Sequence, residues 1–346
     1  METFLSLLLR KALMATPTVC VDLPPKLESE LFADESLQRL ARFGLLIRQS
    51  EDARTLRGTG ADPRLQADIL ITGWGSHPLP AATATSDRLR LVVHSAGSIR
   101  SLIPASLLAN GVRVSQASAG MAQSVAELAL YMTIARLRDL DRVDRVMTAQ
   151  HAWTAADFGL GRTLSGAAVG VVGASRVGRA YVKLVVASGA DVLLHDPYLS
   201  ERECNELGAR PAPLDELLSQ SAVVALHAPV RQETRRMIDA RRLALIPDGG
   251  VLVNTARSAL VDTGALLAEL RTGRLSAALD VFDEEPLPAD SEWWRLPNVL
   301  LTPHLGARTW HSRRAQGEVV VEEVRRYLAG LDLRYEVLPE TYDLMA

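Results

Sequence analysis

Short apolar runs alternate with helix-forming segments along almost the whole chain of 346 residues. The runs are continuously apolar rather than alternately apolar and polar, which is typical of strands buried on both faces of a sheet. Each run is followed by Gly, Ser or Pro and then by helix formers, and strands that alternate with helices indicate βαβ units. The pattern therefore predicts an α/β protein built on parallel, doubly wound sheets.

The length of the chain points to two domains, because chains beyond about 250–300 residues usually split their hydrophobic core. We expect a discontinuous first domain of residues 1–118 and 309–346, and a second domain of residues 119–308. The strand candidates are residues 17–23, 67–72, 89–94 and 112–115 in the first domain, and 168–172, 191–195, 222–227, 251–254, 277–281 and 299–301 in the second. Both domains are expected to be Rossmann-like.

Two long helical stretches connect the expected domains. One begins at Met121, runs to about Met147 without Gly or Pro, and ends in a polar segment at 138–150. The other, at 308–328, is rich in charged and β-branched residues and is expected to return the chain to the first domain. We therefore expect the first domain to be built from both ends of the sequence.

Charge and composition argue against several classes of protein. The formal net charge is −3, so no basic surface for nucleic acid is expected. The two cysteines, Cys20 and Cys204, are far apart and give neither a disulfide framework nor zinc-ligand spacing, so no metal site is expected. The apolar run from Phe4 to Met14 is interrupted by charge and is too short to span a bilayer, so residues 1–13 are expected to be an added amphipathic helix or a non-native start. We expect a cytoplasmic protein without membrane partners.

A glycine-rich turn follows the first strand of the second domain. The fingerprint of a dinucleotide turn is G-x-G-x-x-G, and this chain has Gly173 and Gly178 at the first and third positions and Ser175 at the second. The first glycine permits a tight turn, and the third lets the helix pack close to the strand. The backbone N–H groups of Arg176 and Val177 would face phosphates at the helix N-terminus, and the Arg176 guanidinium could reach them as well.

The next strand ends in a carboxylate that strengthens this interpretation. Asp196 lies 18 positions after Gly178, close to the spacing of about 20 at which an acidic residue binds the adenosine ribose hydroxyls. A carboxylate there repels a 2′-phosphate, and Pro197 and Tyr198, rather than an arginine, follow it. The sequence therefore predicts that NAD(H) is bound in preference to NADP(H).

Three further strand-like runs each end in polar groups. The groups are, in chain order, Arg257, Asp280, the neighbouring carboxylates Asp283, Glu284 and Glu285, and His304. In an open α/β sheet, ligands bind at the carboxyl ends of the strands. An arginine can bind a carboxylate through two parallel hydrogen bonds. Histidine is suited to accepting and donating a proton reversibly near neutral pH. Together with a dinucleotide turn, these groups suggest hydride transfer on a 2-oxo or 2-hydroxy acid, and the residues alone do not choose among the three carboxylates.

At these positions the chain resembles the D-isomer-specific 2-hydroxyacid dehydrogenase family, which includes D-3-phosphoglycerate dehydrogenases, glyoxylate/hydroxypyruvate reductases, D-lactate dehydrogenases and formate dehydrogenases. The resemblance runs from about Val19 to Leu328. The stretches that carry it are the glycine turn, Val125-Ala126-Glu127, Leu226-His227-Ala228-Pro229, Glu233-Thr234-Arg235, Asn254-Thr255-Ala256-Arg257, residues 278–286 and residues 302–307.

The resemblance implies a role for each polar group. Arg257 would bind the substrate carboxylate and polarise the carbonyl, and His304 would be the acid in reduction and the base in oxidation. Glu285, directly before a proline, would hydrogen-bond the imidazole. Asp280 would meet the nicotinamide side of the cofactor, with a strand-end cap as the alternative.

The resemblance also implies cofactor contacts, substrate contacts and a dimer. The cofactor contacts would include Ser98, Ala228, Pro229, Thr255, Ala256 and Gly306, and the substrate contacts would include Trp74, Gly75, Ser76 and Gly97 as well as Arg257. The first domain would be the flavodoxin-like substrate domain and the second the NAD-binding domain. A homodimer would form through the second domain and the long helix after Met121. Trp74 could instead be an ordinary core residue.

The chain departs from the family pattern near the substrate contacts. Ser258 stands where a glycine is common, the Ala96-Gly97-Ser98 loop lacks the usual glycine–acid–asparagine run, and Met121-Ala122 replaces a common asparagine. The leading hypothesis is an NAD-dependent enzyme that interconverts 2-oxoacids and D-2-hydroxyacids. Two alternatives stay open: a non-catalytic NAD(H)-binding, corepressor-like regulator, and a dehydrogenase for an unusual hydride donor such as formate or a phosphorus oxyanion.

Overall fold

The computed structural model describes residues 16–48, 62–79, 83, 86–100, 102–151, 153 and 158–344. The expectation for residues 1–13 lies outside these ranges. The chain divides into two compact units, which we call unit 1, Met1–Gly120 with Trp310–Ala346, and unit 2, Met121–Thr309. Each unit contains one parallel sheet with helices, which confirms the predicted α/β class.

Unit 1 holds a five-stranded sheet in the order β2-β1-β3-β4-β5, with every neighbouring pair parallel. The strands are β1 Thr18–Asp22, β2 Leu45–Arg48, β3 Ile69–Thr72, β4 Leu91–His94 and β5 Arg113–Gln116. The helices are α1 Pro25–Leu31, α2 Asp34–Phe43, α3 Ala105–Ala109 and, after the chain returns from unit 2, α11 Trp310–Leu328. The strand order reverses direction between β1 and β3.

Apolar side chains cover both faces of the unit 1 sheet. Val19 and Val21 on β1 pack in one cluster with residues of α1, α2 and α11, while Cys20 between them packs in a second cluster with residues of α3. Alternate residues of one strand point to opposite faces, so a strand buried on both faces must be apolar throughout. This requirement explains the continuous apolar runs of the sequence.

Unit 2 holds a seven-stranded parallel sheet in the order β12-β11-β10-β9-β6-β7-β8. The strands are β6 Ala168–Val172, β7 Asp191–His195, β8 Arg210–Pro211, β9 Val223–Leu226, β10 Val251–Asn254, β11 Ser276–Leu279 and β12 Val299–Leu301. The strand order reverses between β6 and β9, which is the kind of switch point at which open α/β sheets bind ligands.

The helices of unit 2 cover both faces of its sheet. They are α4 Ala122–Arg138, α5 Leu140–Gln150, α6 Arg176–Ala187, α7 Glu201–Glu206, α8 Leu214–Gln220, α9 Ala240–Leu243 and α10 Thr263–Thr272. One apolar cluster includes residues of α4 and α6, and the other includes residues of α8, α9 and α10. The strands contribute alternate residues to the two clusters, as they do in unit 1.

The structure corrects the expected single helix after Met121. The helix breaks at Asp139, which adopts a left-handed conformation with φ of 53°, and the polar segment beyond it is itself helical. The buried Arg136 guanidinium forms ion pairs with Asp139 at 3.0 Å and Asp141 at 2.6 Å. Asp is among the few residues that tolerate this backbone conformation, so the break needs neither Gly nor Pro.

Two short edge strands, β2 and β8, are absent from the sequence prediction. β8 has two residues and ends in Pro211, and β2 includes Arg48. Such strands lack the long apolar run that marks a central strand, because an edge strand pairs on one side only. None of the helices in the described part of the chain is long and apolar enough to cross a membrane.

Candidate active site

The carboxyl edge of the unit 2 sheet displays most of the predicted site residues in one row. Because all strands of the sheet are parallel, the loops that follow them leave from the same edge. In the spatial order of the strands from β12 to β7, these loops carry His304, Asp280, Arg257, Ala228, Gly173 and Asp196. The fold therefore gathers residues that are separated by up to 131 positions in the sequence.

The glycine turn is packed too tightly for side chains at two of its positions. Gly173 has φ of 94°, and a Cβ there would lie 2.6 Å from the backbone N and Cα of Ala228. A Cβ on Gly178 would collide with the Gly173 carbonyl oxygen. Ser175 caps α6, and its hydroxyl accepts a hydrogen bond from the Gly178 N–H at 3.3 Å. The serine at the second fingerprint position thus stabilises the start of the helix.

The Asp196 carboxylate holds the turn from the neighbouring strand. It accepts hydrogen bonds from the Ala174 N–H at 2.7 Å and the Tyr198 N–H at 2.9 Å. Arg231, on the loop after β9, stacks on the Tyr198 ring at 5.0 Å and donates to its hydroxyl at 2.6 Å. A tight turn with glycine at its first and third fingerprint positions, at the N-terminus of a 12-residue helix and beside an acidic group, fits a dinucleotide cofactor.

The turn after β10 presents Arg257. The buried Asn254 amide shapes this turn, because it accepts from the Ala256 N–H at 3.0 Å and donates to the Arg257 carbonyl at 2.9 Å. One guanidinium nitrogen of Arg257 donates to the Ala256 carbonyl at 2.7 Å. Burial lowers the pKa of Arg257, and attraction to the Glu285 carboxylate opposes this effect. Thr255, also buried, has a hydroxyl without a hydrogen-bond partner among the described residues.

Asp280 anchors the loop that carries His304. Its carboxylate accepts hydrogen bonds from the Thr302 hydroxyl at 2.5 Å, the Leu305 N–H at 2.7 Å and the Gly306 N–H at 2.9 Å. The Asp280 residue is 1% exposed. Asp280 therefore makes the contacts of a strand-end cap, which the sequence analysis gave as the alternative to a nicotinamide contact. Gly306 belongs to the same hydrogen-bond network.

His304 and Glu285 form a hydrogen-bonded pair. The His304 Nδ1 lies 2.7 Å from a Glu285 carboxylate oxygen, and the other oxygen of Glu285 accepts from the Phe282 N–H at 3.0 Å. The two side chains are 50% and 37% exposed, so the pair stands at the surface of unit 2. His304 has a left-handed φ of 52°, a conformation that non-glycine residues adopt mainly where surrounding contacts enforce it. Nδ1 is engaged by Glu285, and the imidazole Nε2 has no hydrogen-bond partner among the described residues.

The predicted contacts in unit 1 lie on two loops at the carboxyl edge of its own sheet. Trp74, Gly75 and Ser76 follow β3, and Gly97 and Ser98 follow the adjacent strand β4. Trp74 is 40% exposed, so the ordinary-core alternative does not describe it. Ser98 belongs to unit 1, whereas the other predicted cofactor contacts belong to unit 2.

The sequence of unit 2 matches a known protein domain. Residues 130–306 match the family model for the NAD binding domain of D-isomer specific 2-hydroxyacid dehydrogenases. The chain belongs to this family. Its matched residues lie within unit 2 and include Arg257, Glu285 and His304.

Relatives of the dehydrogenase family support the same conclusion. D-3-phosphoglycerate dehydrogenase of Mycobacterium tuberculosis is 34% identical over 266 residues, which are 77% of this chain and 50% of that protein. Glyoxylate reductase of Pyrococcus furiosus is 32% identical over 270 residues, which are 76% of this chain and 80% of that protein. The chain spans about half the length of the phosphoglycerate dehydrogenases that it matches.

Solved structures share the fold of this family member. A protein of Thermus thermophilus is 29% identical with a TM-score of 0.75, covering 93% of this chain and all of that one. A glyoxylate reductase of Paecilomyes thermophila has a TM-score of 0.80 over 94% of this chain and 99% of that one, and at 22% identity it supports the fold alone.

Two residues that shape the site carried no assigned role in the sequence analysis. Asn254 holds the Arg257 turn, and Thr302 binds the Asp280 carboxylate. A buried amide at the end of an apolar strand, directly before an arginine turn, is a signal that could have identified Asn254. Thr302 carries no comparable signal, because its partner lies 22 positions away in the chain.

Proposed function

We propose that the protein is an NAD-dependent oxidoreductase that interconverts a 2-oxoacid and a D-2-hydroxyacid. The observation that carries the proposal is the His304–Glu285 pair, 2.7 Å apart, on the same sheet edge as Arg257 and the glycine turn. Unit 2 is the proposed cofactor domain, and unit 1 is the proposed substrate domain.

The chain's own groups perform the proton transfer and the binding. In reduction, the His304 Nε2 donates a proton to the carbonyl oxygen, and in oxidation it removes the proton from the hydroxyl. Glu285 holds the imidazole through Nδ1 and balances the positive charge of its protonated form. NAD(H), when bound, supplies or accepts the hydride at the substrate carbon.

Arg257 is the proposed anchor of the substrate carboxylate. One guanidinium nitrogen is occupied by the Ala256 carbonyl, and the remaining donors have no partner among the residues that the structure describes. A guanidinium presents two parallel N–H groups that match the two oxygens of a carboxylate. The desolvated position strengthens such a charge-assisted contact, because the surrounding medium screens it less than water does.

The proposed cofactor residues are the glycine turn, Asp196, the loop at Ala228 and Pro229, the Thr255–Ala256 turn, Asp280 and Gly306 in unit 2, and Ser98 in unit 1. Asp196 is the proposed determinant of NAD(H) preference over NADP(H), because its carboxylate repels a 2′-phosphate.

We expect Asp196→Ala to lower the ratio of kcat/KM with NADH to that with NADPH by at least about tenfold, since like-charge repulsion is removed. Asp191→Ala, an exposed acid at the start of β7, is the matched control and should leave the ratio unchanged. An unchanged ratio in Asp196→Ala would overturn the assignment.

We also propose that the protein is a homodimer through the α4–α5 region. Tyr131 is 55% exposed, Ile134 38% and Leu140 43%, which places three large apolar side chains at the surface of these helices. Light scattering of the purified protein should give a mass of two chains, and Tyr131→Arg with Ile134→Asp should give the mass of one.

The test of the proposed function is NADH oxidation with a panel of 2-oxoacids that includes glyoxylate, hydroxypyruvate, pyruvate, phosphorylated analogues and bulky aromatic or branched acids. We expect rapid oxidation with at least one member and none with Arg257→Ala. NADH binding without turnover across the panel would contradict the proposal and favour the regulator or an unusual hydride donor.

A further inference from the structure

Trp74 stands on a loop that is fixed against the carboxyl edge of the unit 1 sheet. The Gly73 N–H donates to the Ser76 hydroxyl at 3.0 Å, and that hydroxyl in turn donates to the carbonyl of Asp22 at the end of β1. A Cβ on Gly73 would collide with the Ser95 hydroxyl, and Gly75 has φ of 84°. Both glycines flanking Trp74 are therefore required by close packing or by the backbone, and the indole is carried at a defined place.

One face of the Trp74 indole is covered by Arg313 of α11. The guanidinium carbon lies 4.1 Å from the ring centroid, which is the geometry of a cation–π contact. Arg313 is held in turn by Glu30 at 3.3 Å and Gln316 at 3.4 Å. Gln316 is fully buried and donates to the Ser95 carbonyl at 2.7 Å. The stack is thus tied to the same sheet edge as the loop.

Trp74 as a whole nevertheless remains 40% exposed. A large aromatic ring that is held rigidly at a strand end is an apolar surface with a defined orientation. A ligand that covers such a ring gains binding energy in proportion to the apolar area removed from water. Flat apolar groups cover an indole best, because they bring the most atoms into contact with it.

Two arginines beside the loop are already paired with carboxylates. Arg313 pairs with Glu30, and Arg64, which donates to the His77 carbonyl at 3.1 Å, pairs with Asp62 at 2.6 Å. Their charges are balanced within unit 1, so neither offers a free cation for a phosphorylated side chain. Arg100, exposed on the loop after β4, is the candidate cation for a phosphorylated substrate on this loop.

We propose that Trp74, held by Arg313, is a specificity-determining residue that selects 2-oxo and 2-hydroxy acids with an uncharged, apolar and preferably aromatic side chain. The proposal rests on the proposed function, because it takes the Gly73–Ser76 loop as a substrate contact. It deepens that function by naming the substrate class.

The test compares phenylpyruvate with pyruvate, which differ by one aromatic ring. We expect wild-type kcat/KM for phenylpyruvate to exceed that for pyruvate by at least about tenfold, in line with burial of several methylene equivalents. Trp74→Ala should remove most of this preference through a higher KM for phenylpyruvate, and Trp74→Phe should retain most of it. Trp310→Ala is the matched control, because Trp310 is 61% exposed and stacked by Arg314 at 4.4 Å on the same unit. In Trp310→Ala, the ratio of kcat/KM for phenylpyruvate to kcat/KM for pyruvate should equal that of the wild type.

Binding of D-phenyllactate, measured by calorimetry in the presence of NADH, is the second readout and does not require turnover. It should weaken at least about fivefold in Trp74→Ala and stay unchanged in Trp310→Ala. Equal ratios and equal affinities in wild type and Trp74→Ala would overturn the inference while leaving the proposed function intact. A preference for phosphohydroxypyruvate that is lost in Arg100→Ala would overturn it as well. Absence of turnover with selective D-phenyllactate binding would contradict the proposed function alone.

Discussion

At the residue scale, the His304 imidazole is constrained from both its backbone and its side chain. The backbone N–H of His304 donates to the Thr302 carbonyl at 3.0 Å, the residue has a left-handed φ, and the ring Nδ1 faces Glu285. Glu285 is itself fixed by the Phe282 N–H. A proton carrier must keep one ring nitrogen in a constant direction, and this arrangement does so for Nε2.

We predict that Glu285→Gln lowers kcat by roughly 10- to 100-fold and that His304→Ala lowers it by about 10²- to 10⁴-fold, because general acid–base catalysis contributes on that order. The glutamine keeps the size of the side chain but removes the charge that balances protonated imidazole. NADH affinity, measured by fluorescence titration, should remain within about twofold in both variants, since neither side chain belongs to the glycine turn.

Glu284→Gln is the control for this experiment, because Glu284 is an exposed neighbour in the same turn and has no hydrogen bond among the described residues. It should retain wild-type kcat. If activity were lost in Glu284→Gln and not in Glu285→Gln, the assignment of Glu285 as the partner of the imidazole would be wrong.

At the scale of elements, polar side chains at the strand ends hold the functional loops. Asp280 after β11 fixes the loop after β12, and Asn254 at the end of β10 fixes the turn that carries Arg257. Both side chains are buried, at 1% and 2% exposure. A buried polar group that loses its partner costs about 1–3 kcal/mol, so these contacts define loop geometry strongly.

We predict that Asp280→Asn destabilises the protein by about 1–3 kcal/mol, because the amide group would face N–H donors that now meet a carboxylate. The Thr302–Gly306 loop would shift, and kcat would fall with the displaced His304. Chemical unfolding and steady-state kinetics measure the two effects.

Asp262→Asn is the matched control for Asp280→Asn. Asp262 caps α10 through the Ala265 N–H at 3.0 Å, and asparagine is an equally good cap, so stability should change little. If Asp280→Asn had the stability and kcat of the wild type, the carboxylate would not be the anchor of the catalytic loop.

At the scale of the whole molecule, each unit buries a histidine on or directly after a central strand. Burial lowers the pKa of His94 in unit 1 to about 4 and that of His227 in unit 2 to about 3. The His227 ring packs on Tyr181 at 4.9 Å, and its Nε2 has no hydrogen-bond partner in the described part of the chain. Both side chains are therefore neutral in the folded protein at neutral pH.

We predict that these histidines destabilise the fold as the pH falls below about 6.5, the value at which histidine protonates in the unfolded chain. The unfolded state then binds protons that the folded state does not accept until about pH 4 or 3. Stability is thus present above the unfolded pKa and is lost toward lower pH, by at most about 1.4 kcal/mol per pH unit and histidine.

Urea unfolding of wild type and His227→Asn at pH 7 and pH 5 measures this contribution. The loss of unfolding free energy between the two pH values should be smaller in the variant by about 1–2 kcal/mol. An identical loss in both proteins would show that His227 is accessible to protons in the folded state.

The apolar pattern of the chain was enough to predict the α/β class and most strands, because a strand buried on both faces must be apolar at every position. It also indicated Arg257, Asp280 and His304 as site candidates, since each lies within three residues after such a strand. The two edge strands and the helix break at Asp139 escaped this logic. An edge strand needs little burial, and the break depends on the ion pairs of the buried Arg136 rather than on Gly or Pro.

The contacts of each polar group could be read only from the folded chain. It paired Asp280 with donors 22 to 26 positions away and held Trp74 exposed under Arg313, a residue 239 positions later. Periodicity reports whether a position is buried within its own element. The order of strands in a sheet and the contacts between loops are set by packing among distant segments, which leaves no local pattern in the sequence.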